Sequence, residues 1–305
     1  MKFSIFSDFH YAPGSFDYDG EEKLEKLRMI QRRAEKENAS FIIHAGDLCH
    51  APSKVPELIE LYNNFHIPSY HCLGNHDTDG TDLEEVLRLY KMEDVQYFFD
   101  CEGYRFIVFD PNYSNINGEF VHFNLGNYYK TPNERDWISP ENIEWMRKVI
   151  EDSPYPCILI GHSSFERPDG VKNRKDVLEM IKSVNEKRKH SVLMVINGHF
   201  HRDYLRILDG VCHFELNSTS YEWVGVPHNH YPEELCKKAS ALSRIVMYND
   251  PVHAVITLEG TTVTIDGMES SFFMGIGREH TDVPYLDAAG RECTPHVSSA
   301  KFTLL

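Results

Sequence analysis

Residues 70–77 read Tyr70-His71-Cys72-Leu73-Gly74-Asn75-His76-Asp77, a short strand-like run that breaks at a glycine into an amide, an imidazole and a carboxylate. The same event recurs along the chain. Residues 3–7 lead into Asp8-Phe9-His10, and residues 41–45 into Gly46-Asp47. Residues 157–160 lead into Gly161-His162, and residues 192–196 into Gly198-His199-Phe200-His201. Amphipathic stretches lie between these runs: residues 21–37, 55–65, 83–90, 140–151 and 172–187 each space their apolar side chains at helical intervals. Ser139-Pro140-Glu141 supplies a helix cap, a first-turn proline and an early acid. Strands alternating with helices predict an α/β fold. In such a fold, segments remote in sequence bring their carboxyl ends to one edge, where ligands bind.

Side chains two apart on an extended segment point the same way. Asp8 with His10, and His199 with His201, therefore each offer two ligands to one centre. The glycines before Asp47, Asn75, His162 and His199 are expected to let the backbone turn sharply as it leaves each strand. A single strand-end His or Asp is ordinarily a satisfied polar residue. Five such clusters in series are hard to explain as caps or turns, and they point to a metal centre built from Asp8, His10, Asp47, Asn75, His162, His199 and His201. The donors are carboxylate, imidazole and amide oxygen without thiolate, a set suited to manganese, iron or catalytic zinc rather than structural zinc.

The rest of the chain sets bounds. Its 305 residues are 41% hydrophobic and 26% charged, an ordinary globular composition. A net charge of -16 repels nucleic-acid backbones and anionic membranes, so nucleic acid is disfavoured as a partner. A phosphorylated small molecule is repelled too, unless bound cations reverse the local sign. Seven scattered cysteines show no zinc or disulfide spacing. They read as reduced thiols. No leader-like apolar segment and no membrane-length run is visible, so the expected location is cytoplasmic. Asp209-Gly210, Glu259-Gly260 and Glu102-Gly103 predict hairpin turns. Residues 112–136 read as one long loop, and residues 221–250 as a loop with one short helix. We read one domain over residues 1–276 and an extension over residues 277–305, either an edge strand or an oligomer contact.

The order Asp-x-His, Gly-Asp, Gly-Asn-His-Asp, Gly-His, Gly-His-x-His resembles the calcineurin-like metallophosphoesterases, over roughly residues 1–216. The resemblance implies a four-layer α-β-β-α sandwich of two mixed β-sheets flanked by helices. It implies two divalent ions, manganese and/or iron with zinc as a further option. Asp8, His10, Asp47 and His201 would hold one ion, and Asp47, Asn75, His162 and His199 the other, with Asp47 bridging. His76 would face the substrate as the catalytic acid. The phosphoprotein phosphatases of this superfamily carry Gly-Asp-x-x-Asp-Arg-Gly. Here Gly46-Asp47-Leu48-Cys49-His50 lacks the second Asp and the Arg, which disfavours that branch and leaves Asp77 as the candidate partner of the catalytic His. The motifs are nearer the bacterial cyclic-nucleotide and nucleotide phosphodiesterases. The implied activity is hydrolysis of a phosphodiester or phosphomonoester of a small molecule, such as a nucleotide, by in-line attack of metal-activated hydroxide. A nuclease of the superfamily and a non-catalytic metal-binding scaffold are the alternatives. Candidate substrate contacts are His50 just past Asp47, Asn112, Tyr129 and Arg135 in the first long loop, and Tyr221 and His228 in the second.

Overall fold

The computed structural model describes residues 1–282 and 286–304. Two six-stranded sheets dominate it. The first runs Ala300–Thr303, Thr262–Asp266, Ala254–Glu259, Lys2–Phe6, Ile42–His44, Ser69–His71. Its last three strands are parallel and the others antiparallel. The second runs Tyr204–Leu208, Val211–Glu215, Val192–Asn197, Cys157–Ile160, Tyr104–Val108, Tyr97–Cys101, parallel in its centre and antiparallel at both edges.

Strand alternation decides how the layers stack. Phe3, Ile5, Phe41 and Ile43 of the first sheet pack against Phe106, Val108, Ile158 and Ile160 of the second, forming the central core. The intervening residues point outward. Phe6 and Ile42 meet Leu24, Leu27 and Ile30 of the helix Gly20–Lys36, with Leu58, Tyr62 and Val86 of Pro56–Asn63 and Leu83–Tyr90. Ile107, Cys157 and Leu159 meet Met146 and Ile150 of Pro140–Glu151 and Val177 and Ile181 of Arg174–Lys187. The result is the four-layer sandwich of two mixed sheets with helices outside. Ser139 caps its helix by accepting from the Asn142 N–H.

Two regions are more ordered than the sequence suggests, and the extension takes one of its two expected forms. The loop over residues 112–136 contains a ribbon, Tyr113–Ile116 against Glu119–His122, and a 3₁₀ turn at Asn127–Lys130. Within residues 221–250, Tyr221–Trp223 pairs with Ile245–Met247. Beyond residue 276, Ala300–Thr303 completes the edge of the first sheet against Thr262–Asp266. Residues 283–285 and 305 of that extension lie outside the described residues. No helix among the described residues is long and apolar enough to cross a membrane.

Candidate metal centre

The parallel strands of both sheets end at one edge, and their exits carry the clusters. Asp8, His10 and His201 converge there, their ligand atoms mutually within 4.8 Å, and so do Asp47, His162 and His199. The halves adjoin. His10 Nε2 lies 3.6 Å from Asp8 Oδ1, 3.7 Å from Asp47 Oδ2 and 3.2 Å from His201 Nε2. His162 Nε2 lies 3.0 Å from Asp47 Oδ2 and 3.8 Å from Asp8 Oδ1.

The backbone reaches this arrangement in an unexpected way. Asp8, His10, Asp47, His199 and His201 all have φ between 51° and 71°. That left-handed region is uncommon for residues other than glycine and concentrates at functional sites. Of the four preceding glycines only Gly46 has positive φ, at 97°. The other three are required for closeness rather than for turning. A Cβ on Gly74 would lie 2.1 Å from Asp47 Oδ1, one on Gly161 2.2 Å from the Phe109 ring, and one on Gly198 1.9 Å from Ser7 Oγ.

Several ligands are held from behind. His162 Nδ1 donates to Ala45 O and His201 Nδ1 to Tyr221 O, both at 2.8 Å, so each presents an Nε2 lone pair to the cradle. Ser7 Oγ and the His199 N–H both donate to Asp8 Oδ2, leaving Oδ1 for the interior. Asn75 Nδ2 donates to Tyr128 Oη. Among the described residues, Asp8 Oδ1, Asn75 Oδ1 and His162 Nε2 are buried without hydrogen-bond partners. Burying such atoms unpaired is costly, and Asp8 Oδ1, 3.8 Å from His162 Nε2 within the cradle, fits a cation.

The electrostatics agree. Burial draws the His162 imidazole down, yet the Asp47 and Asp8 carboxylates push it up to about 10. Burial raises Asp8 and Asp47, but neighbouring imidazoles, His201 for the one and His162 for the other, hold both well below the usual carboxylate range. Burial, with His162 beside it, pushes His199 down to about 3. The carboxylates demand positive charge, while His199 is kept as a neutral donor.

His76 stands at the lip. Its backbone N–H donates to Asp47 Oδ1 at 2.7 Å, and its Nδ1 lies 2.6 Å from Asp79 Oδ2. Asp77, the expected partner, is occupied elsewhere. Its buried carboxylate accepts from the N–H groups of Asp47, Leu48, Cys49 and Gly74 and from the Tyr90 hydroxyl. It ties the loop bearing Asp47 to the loop bearing Asn75, and Asp79 takes the position beside His76. Two residues N-terminal to Asp79 would suffice for a sequence reading to mislead. The available signal is that Asp79 lies three after His76, one helical turn away, within the 3₁₀ turn His76–Thr78 and its cap.

The other candidates divide. His50 is inside the site, its Nε2 3.0 Å from His10 Nδ1. Tyr129 is exposed at the rim, its hydroxyl 3.0 Å from Asp79 Oδ2. Tyr221 is fully buried, its ring stacked 5.1 Å from that of His10. Asn112 is spent on the backbone, Nδ2 donating to Leu73 O. Arg135 pairs with Asp136 at 3.3 Å. His228 lies in the second loop, its ring 6.3 Å from His230. Phe16, which the sequence reading overlooked, stacks between His50 and Tyr221 at 4.8 and 5.6 Å.

Residues 1–203 match the family model described as calcineurin-like phosphoesterase. The chain is 29% identical over 92 residues to the DNA double-strand break repair protein Mre11 of Archaeoglobus fulgidus, a match spanning 27% of this chain and 21% of that protein's length. A dimetal phosphatase from Danio rerio superposes with a TM-score of 0.62 at 13% identity, over 100% of this chain and 99% of that one. GAP50, the anchor in the inner membrane complex of Plasmodium, superposes with a TM-score of 0.52 at 14% identity, over 88% and 84% of the two chains. At these identities the two structures share the fold.

Proposed function

The chain belongs to the calcineurin-like phosphoesterase family of metal-dependent phosphoester hydrolases, and from that membership we propose that it hydrolyses a small phosphorylated molecule, such as a nucleotide, at the cradle. The observation that carries this reading is the convergence of Asp8, His10 and His201 and of Asp47, His162 and His199, the ligand atoms of each trio mutually within 4.8 Å, with Asp8 Oδ1 buried and unpaired among them. Asp8, His10, Asp47 and His201 would hold one divalent ion, and Asp47, Asn75, His162 and His199 a second. The donor set suits manganese or iron, with zinc as an alternative.

Such ions, when bound, polarise phosphoryl oxygens and lower the pKa of water to about 7. The chain's own groups do the rest. The fixed ring nitrogens of His162 and His201 keep the cradle from reorganising during turnover. His76 has its Nδ1 engaged by Asp79, which leaves Nε2 as the nitrogen able to give a proton to the leaving oxygen. Burial opposes charge on His76, but Asp47 and Asp79 outweigh it and raise its pKa, favouring the proton-donating form. Phe16 stacks on His50, and Tyr129 stands beside His76. A flat, apolar part of a substrate would stack on these rings. The cysteines of the described chain are all unpaired thiols, which supports a cytoplasmic setting.

The test is reconstitution. Chelated protein should be inert toward a chromogenic phosphodiester and monoester, and manganese, iron or zinc should restore one or both. His76→Ala should keep its ions and lose about 10²–10⁴-fold in kcat. Hydrolysis unaffected by chelation would remove the reading. A salt-dependent hydrolysis of single-stranded DNA that exceeds that of mononucleotide esters would favour a nuclease instead.

A further inference from the structure

We propose that Asp79 and His50 are positioning residues that hold His76 as the proton donor, in one polar chain running from the cradle residue His10 to the leaving group. This rests on the reading of His76 given above. Asp79 Oδ2 lies 2.6 Å from His76 Nδ1 and 3.5 Å from His50 Nδ1. His50 Nε2 in turn lies 3.0 Å from His10 Nδ1. One assignment of protons satisfies every link. His10 keeps its Nε2 lone pair for the cradle and donates from Nδ1 to His50 Nε2. His50 donates from Nδ1 toward Asp79, and His76 donates from Nδ1 to the same carboxylate. His76 Nε2 is then the one nitrogen of the chain carrying an uncommitted N–H.

The surroundings fix Asp79 in place. The Tyr128 hydroxyl donates to its Oδ1 at 2.8 Å and the Tyr129 hydroxyl to its Oδ2 at 3.0 Å. Tyr128 is itself fully buried against Phe123, their rings 4.6 Å apart. His50 is braced by the Phe16 ring at 4.8 Å. The carboxylate is thus anchored by the first long loop and by the segment after Asp47, and both anchors touch the cradle, Tyr128 through Asn75 and His50 through His10. In the reaction, water oxygen bonds to phosphorus as the bond to the leaving oxygen breaks. The leaving oxygen takes its proton from His76 Nε2, and the consumed water restores it.

A proton donor matters in proportion to how poor the leaving group is. The experiment measures kcat and KM for aryl methyl phosphate diesters whose leaving phenols span pKa values of about 5 to 10. Wild type, Asp79→Asn, His50→Gln, His76→Ala and the His76→Ala/Asp79→Asn pair are compared, with metal content determined for each. Asp79→Asn should lose about 10–100-fold in kcat at the poorest leaving group and under about 3-fold at the best, with KM little changed. His50→Gln should show the same tilt more weakly, and it carries the test if Asp79→Asn does not fold. The double variant should be no slower than His76→Ala. Equal losses across the series in Asp79→Asn, or a further loss in the double variant, would overturn the proposal. So would a third ion per chain that His50→Gln releases, because the trio would then be a ligand set. A flat series for His76→Ala itself would instead remove the underlying role of His76.

Discussion

Two buried polar regions of this molecule follow opposite rules. In the cradle, acids and imidazoles are packed together with atoms left over: Asp8 Oδ1, Asn75 Oδ1 and His162 Nε2 have no partner. Around the end of the strand Val211–Glu215, buried arginines meet acids in pairs. Arg167 faces Glu215 and Asp287, Arg291 faces Glu215 and Glu166, and Arg202 and Arg278 share Glu222. This second region joins the segment after residue 276 to the body of the second sheet. Both are charged and buried, so neither property separates a ligand site from a structural one. What separates them is the source of the countercharge. The network brings an arginine to each of its acids, whereas the cradle acids Asp8 and Asp47 have only imidazoles beside them.

The contrast is open to attack by mutation. The largest effect is expected at the shared ligand. Asp47→Ala should release metal and cost at least about 10³-fold in kcat; atomic-absorption analysis showing full metal content would deny Asp47 its bridging place. In the paired network, Arg291→Met leaves Glu215 to Arg167 alone and Glu166 to Arg206 alone, and should cost about 1–3 kcal/mol of stability. Its kcat per folded molecule should stay within about two-fold of wild type. Chemical denaturation together with assay of the folded fraction measures both, and a large loss of turnover without loss of stability would make the network functional. The smallest effect belongs to a pair outside both regions. Burial lowers the His122 imidazole, but Asp110, 2.7 Å away, outweighs it and holds the pKa above the ordinary 6.5. Its stabilisation is therefore full below pH 6.5 and lost as pH rises through the raised value. His122→Asn should flatten that part of the stability–pH curve in urea titrations, and an unchanged curve would mean that the pair contributes nothing.

The layers were legible because strand alternation and helical spacing leave a strong periodic trace, as in Phe3 and Ile5 against Phe6, or Leu24, Leu27 and Ile30. The convergence of Asp8, His10, Asp47, His162, His199 and His201 was legible because each follows a strand. Asp79 was not, since a lone acid in a Thr-Asp-Gly turn reads as a solvated loop residue until the Tyr128 and Tyr129 hydroxyls are seen on it. Asp77 misled because adjacency in sequence says nothing about which way a carboxylate turns, and here four backbone N–H groups claim it. The arginine network left no trace, because Arg167 and Arg291 meet at Glu215 from segments more than a hundred residues apart. The edge strand Ala300–Thr303 is too short for alternation to announce it.

The positive φ of Asp8, His10, Asp47, His199 and His201 bears on how this centre should be dissected. Alanine is the conventional deletion residue, but in that conformation its methyl group costs about 1–2 kcal/mol that glycine does not incur. An alanine scan would merge lost coordination with backbone relaxation and overstate each side chain's chemistry. Paired Ala and Gly replacements at the same position separate the two. The chain's own history faces the same filter: Asn is the replacement closest to acceptable on backbone grounds alone, so drift at these positions is narrowed before catalysis is even consulted.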